Sequence, residues 1–243
     1  MSEGKATEVD VAAQLITSDA APFLMVAHEL KSPLAVIRQL ALSLEETYDS
    51  QMATRYIHQI RLTSERALRL TSDVTRSVRQ DTLFDLEPLN PLSICEEVAH
   101  ELTPLFIAQG KCIEVIGHTR PPLLVGNRDL LRRVLLNFGD NALHYARSDH
   151  PVRLQVQGIG DQVRVGVRDY GPLVAADVWQ TLIIRLQARA IQPLSGRPQS
   201  SGLGLYTASQ FAHMMNGHIG ATRHRNGATF YIDMAASRQL SLL

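Results

Sequence analysis

Two long stretches in the first third of the chain repeat apolar side chains every three or four residues, the period of one face of an α-helix. The first stripe consists of Phe23, Val26, Leu30, Leu34, Ile37, Ala41 and Leu44, and the second of Tyr56, Ile60, Ser64, Ala67, Thr71, Val74 and Val78. The pattern predicts helices over 19–46 and 52–81, joined by a turn at 47–51. Two such helices cannot bury both stripes alone, so we expect an antiparallel hairpin that pairs with a second copy as a four-helix bundle.

One histidine, His28, lies within the first helical stretch but away from its apolar stripe. At about 100° per residue it falls roughly 160° from the centre of the stripe, on the side that faces solvent. Ser32 shares its face, and Glu29 lies at the flank. Pro33 lacks the N–H that would bond the Glu29 carbonyl, so the helix should loosen beside His28. A histidine followed by a glutamate most often belongs to an ordinary solvated helix face. The loosened helix beside His28 instead favours a functional site.

The composition narrows the classes of function. The 243 residues include 24 basic and 24 acidic side chains, for a net charge of zero, so no bulk attraction to nucleic acid or anionic membrane is expected. The cysteines, Cys95 and Cys112, lack the spacing of a zinc site and are expected to be reduced. No apolar run approaches the roughly 18 residues of a membrane span, and no signal-peptide pattern is present. We expect a cytoplasmic protein, or the soluble part of a larger or membrane-associated one.

Beyond Leu83, helical and strand patterns alternate. The predicted helices cover 91–109, 127–146 and 203–216, and the predicted strands cover 112–117, 123–125, 152–156, 163–167, 218–224 and 228–234. The turns GIGD and Asn226-Gly227 predict two β-hairpins. Helices interleaved with antiparallel hairpins make a two-layer α+β sandwich.

Two asparagines on the long helix predicted at 127–146, Asn137 and Asn141, lie one turn apart and therefore on one face. This face borders the apolar stripe of the same helix, so the carboxamides lie at the edge of the core. Neutral amide oxygens in such a place can hold a hydrated magnesium ion and phosphate oxygens. Two ordinary surface asparagines are the plain alternative, which the helix alone would favour.

Four strings resemble, in order, the sequence boxes of sensor histidine kinases. HELKSPL around His28 is similar to the phosphoacceptor box, and LLNFGDNALHYA, RDYGPLV and SSGLGLYTA are similar to the N box and the two glycine boxes of the ATP-binding domain. Each glycine-containing string is weak evidence by itself, but four boxes in this order are strong evidence for the family. The resemblance implies an all-α hairpin, paired as a dimeric four-helix bundle, followed by an α+β two-layer sandwich of the GHKL or Bergerat type. The implied division is a tail at 1–18, a phosphoacceptor hairpin at 19–82, a linker at 83–90 and a catalytic domain at 91–243.

The resemblance implies an ATP-dependent autokinase. His28 would accept the γ-phosphoryl group, Glu29 would hydrogen-bond the other ring nitrogen, and Ser32 stands where many relatives orient a phosphatase water. A response regulator would then take the group on an aspartate. The implied assembly is a homodimer, with no nucleic acid as partner and no membrane segment in this chain.

The resemblance also implies a nucleotide site for ATP and Mg²⁺. Its residues are Asn137, Asn141, His144, Tyr145, Asp169, Gly171, Gly202, Leu203, Gly204 and Leu205. Asp169 would accept a hydrogen bond from the adenine amino group, and Asn141 with Asn137 would hold the metal. Gly202 and Gly204 would let the backbone approach the phosphates at the N-terminus of a helix. Related ATPases carry a glutamate base at the position of Asn137, and its absence favours transfer over hydrolysis.

The segment after Asp169 departs from the family pattern. Leu173 stands where a second glycine is expected, and 178–185 only faintly echoes the usual phenylalanine-rich box, with Trp179 as its aromatic. We expect 173–201 to be irregular and mobile. These departures keep open a histidine phosphotransfer or scaffold protein with a decayed nucleotide pocket, and an unrelated helical-bundle interaction protein.

Overall fold

The computed structural model describes residues 27, 30–31, 33–78, 85–117, 121–187 and 203–238. The described residues divide into two compact units, one that ends at Val74 and also includes Leu203, and one that contains the other described residues from Thr75 onwards. Among the described residues, no helix combines the length and the apolar character needed to cross a membrane.

The first unit consists of two helices joined by a short turn. Helix α1 includes residues 33–45, and α2 runs Ser50–Val78. Asp49 precedes α2, and its Oδ1 accepts the N–H of Gln51 at 2.7 Å, so a carboxylate caps the first turn. The turn predicted at 47–51 is present, but it ends at Asp49, two residues earlier than predicted.

The second unit contains four helices and seven strands within its described part. The helices are α3 (Pro91–Ala108), α4 (Arg128–Tyr145), α5 (Ala176–Gln187) and α6 (Leu203–Met214). The strands are β1 (Glu87–Leu89), β2 (Ile113–Ile116), β3 (Leu124–Gly126), β4 (Val152–Ile159), β5 (Gln162–Arg168), β6 (His218–His224) and β7 (Gly227–Ala235). Five strands form one mixed sheet in the order β2-β4-β5-β7-β6, in which only β2 and β4 are parallel.

The core lies between one face of this sheet and the helices α3, α4 and α6. One face of the sheet forms the core because apolar side chains alternate along its strands. In β5, for example, Val163, Val165 and Val167 are buried against the helices. Helix α4 contributes Phe138, which is fully buried. The predicted two-layer α+β sandwich after a helical region is confirmed.

Two elements differ from the sequence prediction. Strand β1 lies within the segment expected as a linker and pairs antiparallel with β3. Its three residues include Pro88, so no alternating pattern could reveal it. Helix α5 occupies 176–187, where an irregular segment was predicted, and this prediction is wrong for these residues. Leu182 is buried on α5, which makes tertiary packing the reason why this weakly patterned stretch is helical.

The contact between α3 and α4 yields a test of the packing. A Cβ at Gly139 would lie 2.2 Å from Cδ1 of the fully buried Leu102. Gly139→Val should therefore lower the free energy of unfolding by about 1–3 kcal/mol through overpacking, measured by chemical denaturation. Adding Leu102→Ala should recover part of this loss. Gly158→Ala, on the exposed end of β4, is the matched control and should change stability by less than about 0.5 kcal/mol.

Candidate nucleotide site

Helix α4 carries four of the predicted site residues, namely Asn137, Asn141, His144 and Tyr145. Asn127 caps its N-terminus, since its side chain accepts the N–H of Leu130 at 3.1 Å. At the other end Lys111 donates its Nζ to the Leu143 carbonyl at 2.5 Å, and burial lowers the pKa of Lys111. Both ends of the helix that presents the asparagines are thus fixed by side chains.

Asn137 is buried, with 5% of its surface exposed, and it contacts α6. Its Nδ2 donates to Oγ1 of Thr207 at 3.2 Å, and Oγ1 of Thr207 donates to the carbonyl of Gly204 at 3.1 Å. A Cβ on Gly204 would lie 3.5 Å from Oδ1 of Asn137. The structure therefore brings the first turn of α6 directly against the middle of α4. Thr207 was not among the predicted site residues.

Asn141 lies one turn further along α4 and is partly exposed. Its Nδ2 is buried and has no hydrogen-bond partner among the described residues. A buried amide left unpaired costs about 1–3 kcal/mol, so this atom is suited to meet a ligand. His144 is exposed and Tyr145 is partly buried, with their ring centroids 6.5 Å apart.

Asp169 follows β5 directly and is held by main-chain hydrogen bonds. Its Oδ1 accepts the N–H of Gly171 at 3.1 Å and the N–H of Ala228 at 3.3 Å. Its own N–H donates to the carbonyl of Ala228 at 2.9 Å. Only 5% of Asp169 is exposed, and the backbone N–H groups of Gly171 and of Ala228 in β7 set the orientation of its carboxylate.

Two glycines near Asp169 are explained by close approach. A Cβ at Gly227, whose φ is +118°, would lie 2.2 Å from the carbonyl oxygen of Asp169. A Cβ at Gly171 would lie 2.5 Å from the carbonyl oxygen of Tyr145. Gly171, which the sequence assigned to the nucleotide site, is therefore required for packing against the end of α4.

Arg168 is a buried cation beside Asp169 that sequence reasoning did not select. Its guanidinium donates to the Asp169 carbonyl and, at 2.7 Å, to Oδ1 of Asn226. It also lies 4.4 Å from the ring centroid of Tyr170. Burial lowers the pKa of Arg168. These contacts fasten the loop that carries Asp169 to the β6–β7 turn.

Leu173, which replaces an expected glycine, fits the structure without strain. Its side chain is 55% exposed, so it does not fill the space beside Asp169. Among the described non-glycine residues only Asn216 has a positive φ, so the backbone at Leu173 is open to any residue. The next residue is anchored, because Arg223 donates to the carbonyl of Val174 at 2.5 Å.

The remaining predicted site residues are placed only in part. His28, Glu29, Ser32 and Gly202 lie outside the described residues. Leu203 begins α6, and Leu205 is partly buried and packs against the core. The described residues contain no cluster of three or more histidine, cysteine or acidic side chains that could hold a metal ion.

Two family models match the chain, one for each unit of the predicted organisation. The His Kinase A (phospho-acceptor) domain matches residues 23–82, and the histidine kinase-, DNA gyrase B- and HSP90-like ATPase matches residues 126–238. The helical region and the α+β sandwich thus carry the two domains of a histidine kinase. The chain belongs to the sensor histidine kinases.

Named relatives and solved structures agree with this family. The chain is 28% identical over 215 residues to the sensor protein kinase PmrB of Pseudomonas aeruginosa, which covers 87% of this chain and 43% of that protein. It is 28% identical over 199 residues to the adaptive-response sensory kinase SasA of Parasynechococcus marenigrum. This match covers 80% of this chain and 51% of that protein. The chain therefore spans about half the length of these relatives.

Two solved structures show the likeness of fold. The histidine kinase AdeS of Acinetobacter baumannii superposes with a TM-score of 0.59 at 16% identity, over 87% of this chain and 98% of that one. Full-length ShkA in complex with AMPPNP superposes with a TM-score of 0.58 at 24% identity. The superposition covers 90% of this chain and 46% of that one.

The bond between Arg168 and Asn226 can be tested through stability. Asn226→Ala removes the acceptor at 2.7 Å and leaves Nη2 of Arg168 with the backbone carbonyl of residue 226 at 3.3 Å, so it should lower the free energy of unfolding by about 0.5–1.5 kcal/mol. Asn226→Asp keeps an acceptor and should retain or raise stability, as measured by urea denaturation. Arg225→Ala, at the exposed neighbouring position, serves as the control and should change the free energy of unfolding by less than about 0.5 kcal/mol. Equal stability of the Asn226→Ala protein and the wild type would contradict the clamp.

Proposed function

We propose that this chain is an ATP-dependent protein-histidine autokinase, which phosphorylates His28 and passes the phosphoryl group to an aspartate of a response regulator. One observation carries the proposal: the phospho-acceptor match at 23–82 contains His28 and is followed in the same chain by the ATPase match at 126–238. A nucleophile and a nucleotide site are the two parts that phosphoryl transfer needs.

Recognition of the base is assigned to Asp169. Its carboxylate is buried, and the N–H groups of Gly171 and Ala228 fix the direction in which it accepts hydrogen bonds. Adenine presents an amino group where guanine presents a carbonyl oxygen, so a fixed acceptor selects adenine. Tyr145 and His144, at the end of α4, are proposed to border the same part of the site.

The phosphate end of the site is assigned to α4 and the start of α6. Asn141 offers a buried Nδ2 without a partner among the described residues, and Oδ1 of Asn137 lies beside Gly204. The first backbone N–H groups of α6 are suited to an anion. Leu203, Gly204 and Leu205 supply that first turn, and Gly202, before it, is proposed to extend the cradle.

Asn141 and Asn137 are proposed to hold Mg²⁺ through their amide oxygens. Mg²⁺ keeps several waters and is bound by few protein ligands together with substrate phosphates, which fits two neutral side chains at a pocket edge. When bound, it neutralises charge on the phosphates.

The chemistry at His28 is a single displacement. A neutral ring nitrogen forms a bond to the γ-phosphorus as the bond to the bridging oxygen breaks, and ADP leaves with that electron pair. Glu29 is proposed to accept a hydrogen bond from the other ring nitrogen and so fix the tautomer. Ser32 is proposed to orient a water molecule for a separate phosphatase reaction, in which water attacks the phosphorylated aspartate of the response regulator and inorganic phosphate is released.

A homodimer is proposed from the first unit. Helices α1 and α2 expose several large apolar side chains, namely Leu34, Val36, Leu42, Met52, Ile57 and Leu68. A second copy would cover those of these side chains that share one face of the hairpin in a four-helix bundle. The response regulator is proposed as partner because the named relatives are sensor kinases.

The alternative, a phosphotransfer protein with a decayed pocket, has less support. A decayed pocket should have lost its internal contacts, yet Asn137 remains bonded to Thr207, and Asp169 remains held by Gly171 and Ala228. Leu173 is 55% exposed, so it does not close off the space beside Asp169. The pocket is therefore more consistent with use than with decay.

Labelling with γ-labelled ATP and Mg²⁺ tests the proposal. The wild-type protein should acquire acid-labile, alkali-stable label, which is typical of phosphohistidine. His28→Gln should abolish this label and leave the Kd for ATP unchanged, because it removes only the nucleophile. Asp169→Asn, which keeps the size of the side chain, should weaken ATP binding by roughly 10-fold or more, the value of one hydrogen bond to a charged group.

Three results decide between the hypotheses. Label that persists in the His28→Gln protein would contradict the site assignment. A wild-type protein that binds no ATP but accepts phosphate from a phosphorylated regulator would support the phosphotransfer alternative. Loss of all phosphorylation in an intact dimer would support an interaction protein.

A further inference from the structure

We propose that Thr207 is a positioning residue that sets the orientation of the Asn137 carboxamide, so that its oxygen faces the start of α6. The consequence for catalysis rests on the proposed function, whereas the orientation itself does not. Thr207 is 1% exposed and Asn137 is 5% exposed, so their contact lies inside the protein, where no solvent competes for it.

The direction of the hydrogen bonds follows from the number of protons. A hydroxyl has one proton to donate, and Thr207 donates it to the carbonyl of Gly204 at 3.1 Å, an atom that can only accept. Towards Asn137 the hydroxyl can therefore only accept. Asn137 must present Nδ2 to Thr207, at 3.2 Å, and its Oδ1 must point elsewhere.

Oδ1 of Asn137 then lies on the side of Gly204, 3.5 Å from the position that a Cβ would take there. The reversed amide would keep only one of the two hydrogen bonds, because the hydroxyl would have to leave Gly204 to donate to Oδ1. Loss of one neutral hydrogen bond corresponds to roughly a 3- to 10-fold preference for the observed orientation.

The orientation matters because of what each end of the amide can bind. An amide oxygen can bind a cation or accept a hydrogen bond from its hydration water, whereas an N–H group repels a cation. Thr207 thus keeps an acceptor in the place where the phosphate end of the site is proposed. Base recognition at Asp169 does not involve Thr207, so loss of the hydroxyl should affect Mg²⁺ dependence far more than adenine binding.

Thr207→Val removes the hydroxyl and conserves the shape of the side chain. We expect the Mg²⁺ concentration for half-maximal autophosphorylation to rise by roughly 3- to 10-fold, and kcat to fall, while the affinity for adenosine changes by less than about twofold. Thr207→Ser keeps the hydroxyl and should restore wild-type behaviour. Thr103→Val is the matched control, because within the described part of the chain the hydroxyl of Thr103 bonds the carbonyl of Ala99 in its own helix, at 2.6 Å, and no side chain of the site.

A ligand-free measurement separates this inference from the proposed function. In NMR spectra without nucleotide, the Asn137 side-chain amide protons should show contacts to the Thr207 methyl group and slow solvent exchange, and Thr207→Val should remove the slow exchange. If the wild-type protein takes up no label, the proposed function fails, and the amide spectra still decide the orientation. Should Thr207→Val not fold, Thr207→Ala removes the hydroxyl without adding volume.

A double-mutant cycle closes the test. If Thr207 acts through Asn137, Thr207→Val should produce no further change in Mg²⁺ dependence when Asn137 is already alanine. Independent, additive effects of the two substitutions would overturn the inference. Unchanged amide protons in the Thr207→Val protein would overturn it as well.

Discussion

The burial of polar groups is the constraint on which the second unit depends. Asn137, Arg168, Asp169 and Thr207 are each less than a tenth exposed, and a buried polar group is costly unless it is hydrogen-bonded. Their partners come from distant parts of the sequence, so satisfying them joins α4 to α6 and the end of β5 to the β6–β7 turn. The apolar core holds the layers together, but these polar contacts determine how the pocket residues are aligned.

The elements with strong patterns could be predicted from the sequence. The alternating apolar residues of β4 and β5 and the long apolar stripe of α4 specify local structure through a repeat, and the Asn226-Gly227 pair specifies a tight turn. Strand β1 could not be predicted, because a three-residue strand with a proline has no repeat. Helix α5 could not be predicted either, since its position depends on the packing of residues such as Leu182.

The candidate site shows the same limit at the level of single residues. Asn137, Asn141 and Asp169 could be selected because their strings resemble a family pattern. Arg168 and Thr207 could not, because an arginine at the end of a strand and a threonine within a helix are usually exposed. Their importance arises from tertiary contacts, because Arg168 bonds Asn226 and Thr207 bonds Asn137. Gly171 illustrates the converse, since its role in packing against Tyr145 is visible only in three dimensions.

The two ends of the proposed site are held by different means. At the base end, the Asp169 carboxylate is bonded by the main chain of Gly171 and Ala228, so neither bond depends on a neighbouring side chain. The exception is Gly227, where a Cβ would lie 2.7 Å from Oδ1 of Asp169. At the phosphate end, the Asn137 amide depends on one hydroxyl group. Backbone contacts persist through most changes of sequence, whereas a side-chain contact is lost with one substitution. If the proposed function holds, nucleotide selectivity should therefore depend less on neighbouring side chains than the efficiency of phosphoryl transfer does.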